Sequence, residues 1–447
     1  MSSADDFSLT DPAWSGSEAA REASDPALLR ALLDVEVALA VVWSRRDGVE
    51  DVSQAVAQAA REPFDVREIA LAARGGGNPV IPLVARLRER VRAVAPEAAA
   101  YVHRGATSQD VLDSALMLAA SRARSVILRD VAAACASLAG LAEAHRDTLM
   151  VARSLTQHAL PTTMGLKAAT WLEGLLDARD ALAAVPLPVQ YGGAVGTLAA
   201  PVSMLGGDAP AALGLADALA DELGLDRAAV PWHTRRTPVT RLGDALATLL
   251  DALGTIAVDV LTLARPEIAE LSEPGGEGRG GSSAMPQKRN PVLSVLVHSS
   301  ARLAPGRAAD LHRSAVVVDE RPDGAWHAEW PALRDLVRLA GGAAQLTAEL
   351  AEGLVVHPGA MRRNLDSDGG LVLSERLMAE LAPELGRERV QELVARAARG
   401  EDLETLLAGA LGDAGRATRI LDPADYLGAA GLLVDRTLER YRGGLDA

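Results

Sequence analysis

A glycine-rich segment near residue 280 holds the largest group of side chains that could do chemistry. Five of the seven residues from Gly275 to Gly281 are glycine, and positions 281–291 read GSSAMPQKRNP. Glycine at this density favours a loop with many exposed backbone N–H donors. Two serines, a lysine and an asparagine beside such donors could remove a proton next to a carboxylate and stabilise the charge that develops. A solvated linker between helices would explain the glycines, but not the order of the residues after them.

A second polar segment, YVHRGATSQD at positions 101–110, directly precedes an apolar helical pattern. Thr107 or Ser108 could cap that helix, and a helix N-terminus is also a natural site for a carboxylate. His103 and Gln109 lie in the same segment. Helix capping alone would explain these residues, so a cap and a ligand site both remain open here.

A third segment, RSLTQHALPTT at positions 153–163, contains Gln157 and the only imidazole in its neighbourhood, His158. A lone histidine is more often structural than catalytic, although its charge can change near neutral pH. A similar pair of alternatives applies to WHAEW at 326–330. There His327 and Glu329 could lie near a site or belong to an aromatic cluster with satisfied polar atoms.

The composition excludes several classes of protein. The chain has 447 residues and a net charge of −15, which disfavours binding to nucleic-acid phosphates. A single cysteine, Cys135, excludes a disulfide framework or a cysteine zinc site within one chain. The acidic first residues do not resemble a signal peptide, and the apolar stretch from Leu246 to Ala264 contains Asp251 and Asp259. We therefore expect a cytoplasmic protein with no membrane or nucleic-acid partner.

Helical periodicity predicts an all-α fold. Aromatic residues make up only 3% of the chain, and alternating strand patterns are scarce. Glycine and proline breaks predict an N-terminal helical domain at 1–100, a central bundle at 101–352 with a catalytic loop at 273–291, and a small helical domain at 353–447. The central helices are too long and apolar to be stable alone, so we expect other subunits to complete the bundle.

The glycine-rich loop is similar to the signature of the fumarase/aspartase superfamily, GSSxMPxKxNP. The resemblance implies a three-domain fold whose central bundle assembles into a homotetramer, with each active site shared between subunits and no metal or organic cofactor. It implies that Ser282 is the general base, with Ser283 as a supporting donor. The substrate-binding residues that it implies are His103, Thr107, Ser108, Gln109, Lys288, Arg289 and Asn290.

The third segment departs from the superfamily pattern at one position. Most members carry a histidine where this chain has Leu155, which cannot transfer a proton. We therefore predict that His158 is the general acid and that Gln157 binds substrate. Leucine followed by TQHALPT resembles the 3-carboxy-cis,cis-muconate lactonizing branch. That resemblance covers nearly the whole chain apart from about the first thirty residues.

The resemblance implies a cycloisomerase of protocatechuate breakdown that converts 3-carboxy-cis,cis-muconate to a carboxymuconolactone. A carboxylate oxygen adds across the diene, and a proton is transferred through a carbanion intermediate. The alternative is a related C–N or C–O lyase that eliminates an amine, nitrite or a similar group from a substituted succinate to give fumarate. The unfamiliar N-terminus and the segment at 316–323 favour the alternative. Either way we expect a small di- or tricarboxylate substrate, and the intact loop argues against a non-catalytic protein.

Overall fold

Helices form nearly all of the regular structure in the computed structural model, which describes residues 7–276, 279–281, 284–285 and 287–444. The predicted all-α fold is confirmed. The helices of the first half are α1 (Glu18–Glu22), α2 (Asp25–Asp47), α3 (Glu50–Arg61), α4 (Val66–Gly76), α5 (Val80–Val94), α6 (Ser108–Ala144), α7 (Met164–Ala183), α8 (Ala199–Met204) and α9 (Ala209–Leu223). Those of the second half are α10 (Thr237–Leu263), α11 (Val292–Ala315), α12 (Gly324–Gly353), α13 (Pro358–Asp366), α14 (Ser374–Leu385), α15 (Arg387–Ala397), α16 (Leu403–Leu411), α17 (Ala414–Ile420) and α18 (Ala430–Gly443).

Short strands form two antiparallel pairs. β1 (Leu149–Ser154) pairs with β2 (Gln157–Thr163), and β3 (Leu271–Ser272) pairs with β4 (Val355–Val356). Short 3₁₀ turns lie at Pro96–Tyr101, Leu371–Leu373 and Pro423–Tyr426. The first strand pair presents the third polar segment as a hairpin, and β3 directly precedes the glycine-rich loop.

One compact unit is formed by Met1–Asp130, Ala178–Asp251 and Ser299–Gln345. Within it α2 begins after Ser24, whose hydroxyl accepts from the N–H of Ala27, and ends at Gly48 with a left-handed φ of 72°. Its apolar face joins α3, α5 and the start of α6 in a core that includes Trp43 and Leu112. This core fixes the start of α6, where the second polar segment lies.

The other compact unit is formed by Val131–Asp177, Ala252–His298 and Leu346–Ala447. Helices α14 to α17 share a core that includes Leu377, Leu393 and Leu407. A smaller cluster joins Val151 of β1 to Leu365 of α13 and to the 3₁₀ turn that follows it. This second cluster holds the β1–β2 hairpin in place. The division of the chain into three domains at 100 and 352 stays a prediction.

Two of the described helices, α6 and α10, are long and apolar enough to cross a membrane by length and composition alone. Their most apolar windows are 44% and 50% buried within this chain. Long core helices of soluble proteins meet the same criterion, so these two helices are weak grounds for a membrane protein.

Candidate active site

The buried carboxylate of Asp110 organises the N-terminus of α6. It accepts hydrogen bonds from the backbone N–H of Thr107, Gly192 and Gly193, each at 2.9 Å, and it lies 2.8 Å from Nε2 of His233. Asp110 is 1% exposed and His233 is 3% exposed. Because a buried carboxylate is costly without such partners, this arrangement fixes the segment from Thr107 to Gln109 firmly.

The side chains of that segment point in different directions. The hydroxyl of Thr107 accepts a hydrogen bond from Nη1 of Arg321 at 3.0 Å. Gln109 is fully buried, and its Nε2 donates to the carbonyl of His233 at 2.9 Å. Ser108 is partly exposed at the first turn of α6. Thr107 and Ser108 are therefore the residues of this segment that a ligand at the helix N-terminus could reach. Gln109 is buried and bonded to His233, and its role in substrate binding stays a prediction.

His103 is held by a carboxylate that the sequence did not single out. Glu36 of α2 lies 2.7 Å from Nδ1 of His103 and also accepts from the backbone N–H of His103 at 2.8 Å. Burial of the ring lowers the pKa of His103, but the hydrogen bond and charge of Glu36, with a further contribution from Asp110, outweigh it and raise the pKa. The contact with Glu36 thus shifts His103 towards its protonated form.

A second buried charge cluster lies beside this segment. Arg236 donates to both oxygens of Asp113, at 2.7 and 3.0 Å, and also to Glu329. The indole N–H of Trp326 donates to Asp113 at 2.9 Å. Glu329 is therefore a buried network residue, and His327 instead lies at the surface with Nε2 at 2.8 Å from the carbonyl of Gly77. Trp326 and Trp330 pack edge to face beside them, as an aromatic cluster would.

Leu155 occupies the tip of the β1–β2 hairpin and is 96% exposed. Leu155 and Thr156 have φ values of 49° and 72°, which is the left-handed backbone that a two-residue hairpin turn requires. Glycine or asparagine would adopt this turn at lower cost than leucine and threonine. An apolar side chain is therefore held out from the hairpin at the position where most of the superfamily has a histidine.

The other polar residues of the hairpin have defined partners. Nδ1 of His158 lies 2.9 Å from the carboxylate of Asp368, and both side chains are partly exposed. Gln157 is exposed, with its amide 3.2 Å from the hydroxyl of Thr156. Arg153 forms two hydrogen bonds with the buried carboxylate of Glu270, at 2.7 and 3.0 Å, and so anchors the hairpin from below.

The glycine-rich loop is closed at its base by two sets of contacts. The carboxylate of Glu273 accepts from the backbone N–H of Leu293 at 3.0 Å and of Ser294 at 2.7 Å, in the first turn of α11. The carbonyl of Gly280 accepts from the backbone N–H of Asn290 at 2.8 Å and from its Nδ2 at 3.1 Å. The side chain of Asn290 is thus used within the loop. Lys288 and Arg289 are exposed, and Arg289 lines a cleft of about 400 Å³ at the loop base.

Ser282 and Ser283 lie outside the residues that the structure describes, so their assignment as base and supporting donor stays a prediction. His103, Thr107, Ser108 and Gln109 share one segment. Gln157 and His158 share the hairpin, and Lys288, Arg289 and Asn290 share the loop. No hydrogen bond between described atoms joins that hairpin pair to those three loop residues. In the described ranges no group of three or more His, Cys, Asp or Glu residues could hold a metal ion.

Comparison with known proteins identifies the class. A family model described as lyase matches residues 27–306. The nitrosuccinate lyase of Streptomyces davaonensis is 46% identical over 99% of this chain and 95% of that protein. The 3-carboxy-cis,cis-muconate cycloisomerase of Pseudomonas aeruginosa is 40% identical over 94% and 93%. The solved 3-carboxy-cis,cis-muconate lactonizing enzyme of Pseudomonas putida superposes with a TM-score of 0.86 at 35% identity, covering 94% of this chain and 95% of that one.

The chain therefore belongs to the lyase family of the fumarase/aspartase superfamily and is an enzyme, as the loop signature predicted. The substrates named for its relatives, nitrosuccinate and 3-carboxy-cis,cis-muconate, are small carboxylates.

Three residues next to the candidate site were missed from the sequence. Asp110 and Glu36 lie within helical patterns, and a charged residue in such a pattern is normally predicted to face solvent. Arg321 lies in the segment at 316–323, which resembles the lactonizing branch poorly and contains no motif that points to this arginine. The spacing of Thr107 and Asp110, three residues apart at a helix start, resembles a capping box and is a signal that could have identified Asp110.

Glu329 gives a prediction about pH. Burial, with the nearby charge of Asp113, raises the pKa of Glu329 to about 7 despite the attraction of Arg236. The folded protein therefore holds a proton that the unfolded chain releases, and the stability from this group is present at pH 4.5 and lost as pH rises towards 7. Glu329→Gln should remove this decrease in the free energy of unfolding, because glutamine does not titrate. Urea unfolding at several pH values should show wild-type stability falling relative to the variant across this range.

The exposed Glu320 of the same unit provides the control, since Glu320→Gln should follow the wild-type curve. Parallel curves for wild type and Glu329→Gln would contradict the assignment of a titrating buried carboxyl.

Proposed function

We propose that this enzyme eliminates nitrite from 2-nitrosuccinate to give fumarate. A C–H bond next to one carboxylate breaks, a C=C bond forms, and the C–N bond breaks with its electron pair leaving on nitrite. The observation that supports this substrate is the 46% identity to a nitrosuccinate lyase over 99% of the chain, which includes the N-terminal residues that fit the lactonizing branch poorly. The muconate cycloisomerase relative matches less of the chain, at lower identity.

Leu155 supports a weakly basic leaving group. An amine or hydroxide is a strong base and needs a proton from a general acid as it departs. Nitrite and carboxylate are weak bases and can depart as anions. A fully exposed leucine at the hairpin tip supplies no proton there. Leucine here is compatible with a reaction whose leaving group needs no proton, such as nitrosuccinate elimination or lactone formation. It disfavours the loss of ammonia or water.

The proton-transfer steps are assigned to the loop and the hairpin. Ser282 takes the proton next to the carboxylate, with Ser283 as a supporting donor, and Lys288 and Arg289 bring positive charge to the developing dianion. His158, oriented by Asp368 through Nδ1, presents Nε2 and is the candidate proton donor of the hairpin. In nitrite elimination His158 returns no proton to the leaving group, so its role there is to bind the substrate together with Gln157.

Thr107, Ser108 and Arg321 form the proposed site for a substrate carboxylate. The hydroxyl of Thr107 and the guanidinium of Arg321 lie 3.0 Å apart at the N-terminus of α6, where backbone N–H groups and the helix dipole favour an anion. Among the described residues, no carboxylate forms an ion pair with Arg321. A guanidinium that is not paired with a carboxylate of the protein can bind a carboxylate or a nitro group of the substrate through two parallel hydrogen bonds.

The active site is proposed to assemble in a homotetramer. Lys288, Arg289 and Gln157 are exposed on this chain, as expected of residues that complete a site with partner subunits. The half-buried apolar windows of α6 and α10 also leave apolar surface for neighbouring helices to cover. The active site built from the three polar segments would then be complete only in the oligomer.

Cycloisomerization of 3-carboxy-cis,cis-muconate is the second candidate. The similarity of fold to the Pseudomonas putida lactonizing enzyme, with a TM-score of 0.86, favours it. The hairpin sequence with leucine in place of histidine also fits this reaction, because the reverse reaction expels a carboxylate. Both candidates pass through a carbanion stabilised by a carboxylate, so the loop chemistry is the same.

A side-by-side assay tests the proposal. With 2-nitrosuccinate the purified enzyme should release nitrite and fumarate in equal amounts, measured by the Griess reaction and by absorbance of fumarate. With 3-carboxy-cis,cis-muconate it should cause little loss of diene absorbance. Ser282→Ala should abolish nitrite release while retaining the fold, which separates enzymatic elimination from spontaneous loss of nitrite. Faster turnover of the muconate would overturn the assignment in favour of the second candidate.

Arg321 gives a second functional prediction. Arg321→Gln should raise KM about tenfold or more, since a hydrogen bond to a charged group contributes about 1.5–3 kcal/mol and 1.4 kcal/mol is a factor of ten. The change in kcat should be smaller. Arg313→Gln is the matched control, because Arg313 is a 74% exposed arginine paired with Asp310 in the same unit. Steady-state kinetics in which the two variants behave alike would remove Arg321 from the substrate site.

A further inference from the structure

Glu36 is a fully buried carboxylate in the apolar helix α2, far in sequence from every motif of the superfamily. It is 0% exposed and is flanked by Val35 and Val37. Burying an ionised carboxylate is costly unless it is paired and hydrogen-bonded. Among the residues that the structure describes, the hydrogen bonds to Glu36 come from His103, through the backbone N–H at 2.8 Å and the ring Nδ1 at 2.7 Å.

The backbone of His103 is also held in an unusual conformation. Its φ is 60°, in the left-handed region that non-glycine residues rarely adopt. The hydrogen bond from its backbone N–H to Glu36 helps to maintain this conformation. Strained residues of this kind persist only where the surroundings determine them, and they cluster at functional sites. The backbone bond and the ring bond together fix both the position and the orientation of the imidazole.

The opposite ring nitrogen is the one left for a ligand. With Nδ1 bound to Glu36, the imidazole presents Nε2, and the side chain as a whole is 18% exposed. His103 lies four residues before Thr107, at the start of the segment that leads into α6. A protonated His103 would therefore bring an N–H donor and a positive charge to the end of the helix where the substrate carboxylate is proposed to bind.

The surrounding charges favour that protonated form. Burial lowers the pKa of His103, Glu36 of α2 and Asp110 of α6 raise it, and Arg88 of α5 lowers it, with a net increase. His158 of the hairpin is also paired with a carboxylate, but its partner Asp368 is 38% exposed, whereas Glu36 is fully buried. Solvent screens the charges of an exposed pair more than those of a buried pair.

We propose that Glu36 is the positioning residue of His103, and that this buried pair presents an imidazolium Nε2–H to the substrate carboxylate at the N-terminus of α6. The identity of that substrate rests on the proposed function. The imidazolium stabilises the dianion that forms when the loop base removes the neighbouring proton, and no proton is transferred from His103 itself.

The pH dependence of kcat/KM tests this proposal. The active form needs a protonated His103, so activity should decline as pH rises through the pKa of His103. Glu36→Gln keeps the size and one acceptor of the side chain but removes its charge. It should move this alkaline limb to lower pH by about one unit or more, which is a loss of about tenfold in kcat/KM above the limb.

Glu97→Gln is the matched control, because it removes the charge of an exposed carboxylate in the same unit and should leave the alkaline limb in place. A limb that stays at the wild-type pH in Glu36→Gln would overturn the proposal. If Glu36→Gln does not fold, His103→Gln tests the proposal instead. This variant should show no alkaline limb in kcat/KM, and a limb that persists would equally overturn the proposal.

A measurement independent of turnover separates this proposal from the proposed function. In ¹³C-histidine-labelled enzyme the resonance that disappears in His103→Gln belongs to His103. Its pKa should lie above the ordinary value for histidine in the wild type and fall in Glu36→Gln. If the enzyme turns over neither substrate, the proposed function fails while this titration still shows whether Glu36 controls His103. An unchanged titration in Glu36→Gln would refute the pairing itself.

Discussion

The carboxylate of Asp110 is the interaction on which the rest of the candidate site depends. It is buried, and it joins the N–H of Thr107 at the start of α6, the N–H groups of Gly192 and Gly193, and the ring of His233. Four donors on one carboxylate fix the relative positions of three chain segments. Because the side chains of Thr107 and Ser108 are attached to that backbone, their directions follow from the same set of bonds.

Other buried carboxylates with fixed hydrogen-bond partners lie around this helix N-terminus. Glu36 fixes His103, and Asp113 shares Arg236 with Glu329. Each pair is costly to bury and stabilises the fold only when its geometry is complete. These buried carboxylates lie beside one helix end and hold the polar side chains there in a fixed arrangement. The proposed site needs such an arrangement to bind a carboxylate and to stabilise a dianion.

The leucine at the hairpin tip bears on which leaving group the proposed reaction can expel. A lyase that expels ammonia or water needs a proton donor near the leaving group, whereas one that expels nitrite or carboxylate does not. Leu155 projects from a strained turn at this position, and His158, three residues later, is bound to Asp368 through Nδ1 and is assigned to substrate binding in nitrite elimination. In the proposed site we assign the positive charge to Lys288, to Arg321 and to the imidazolium of His103.

Much of this could be predicted from the sequence, and the physical reasons for success and failure differ. Helical periodicity gave the all-α class because apolar spacing reports which face of a helix is buried. The order of residues in the loop gave the enzyme superfamily. Glu36 and Arg321 could not be found in the same way, because their partners lie 67 and 214 residues away in the chain, and no local pattern reports such contacts. Asn290, predicted to bind substrate, is engaged with Gly280 in this structure, a role that spacing alone could not indicate.

The most direct test of the account compares leaving groups on one carbon skeleton. The enzyme would be assayed with 2-nitrosuccinate, L-aspartate and L-malate, which differ only in the group attached to C2. If the site lacks an acid for the leaving group, kcat/KM for nitrosuccinate should exceed that for the other two by about a hundredfold or more, the contribution that general acid catalysis makes. Comparable elimination of ammonia or water would show that a proton donor acts at the leaving group and would contradict the account.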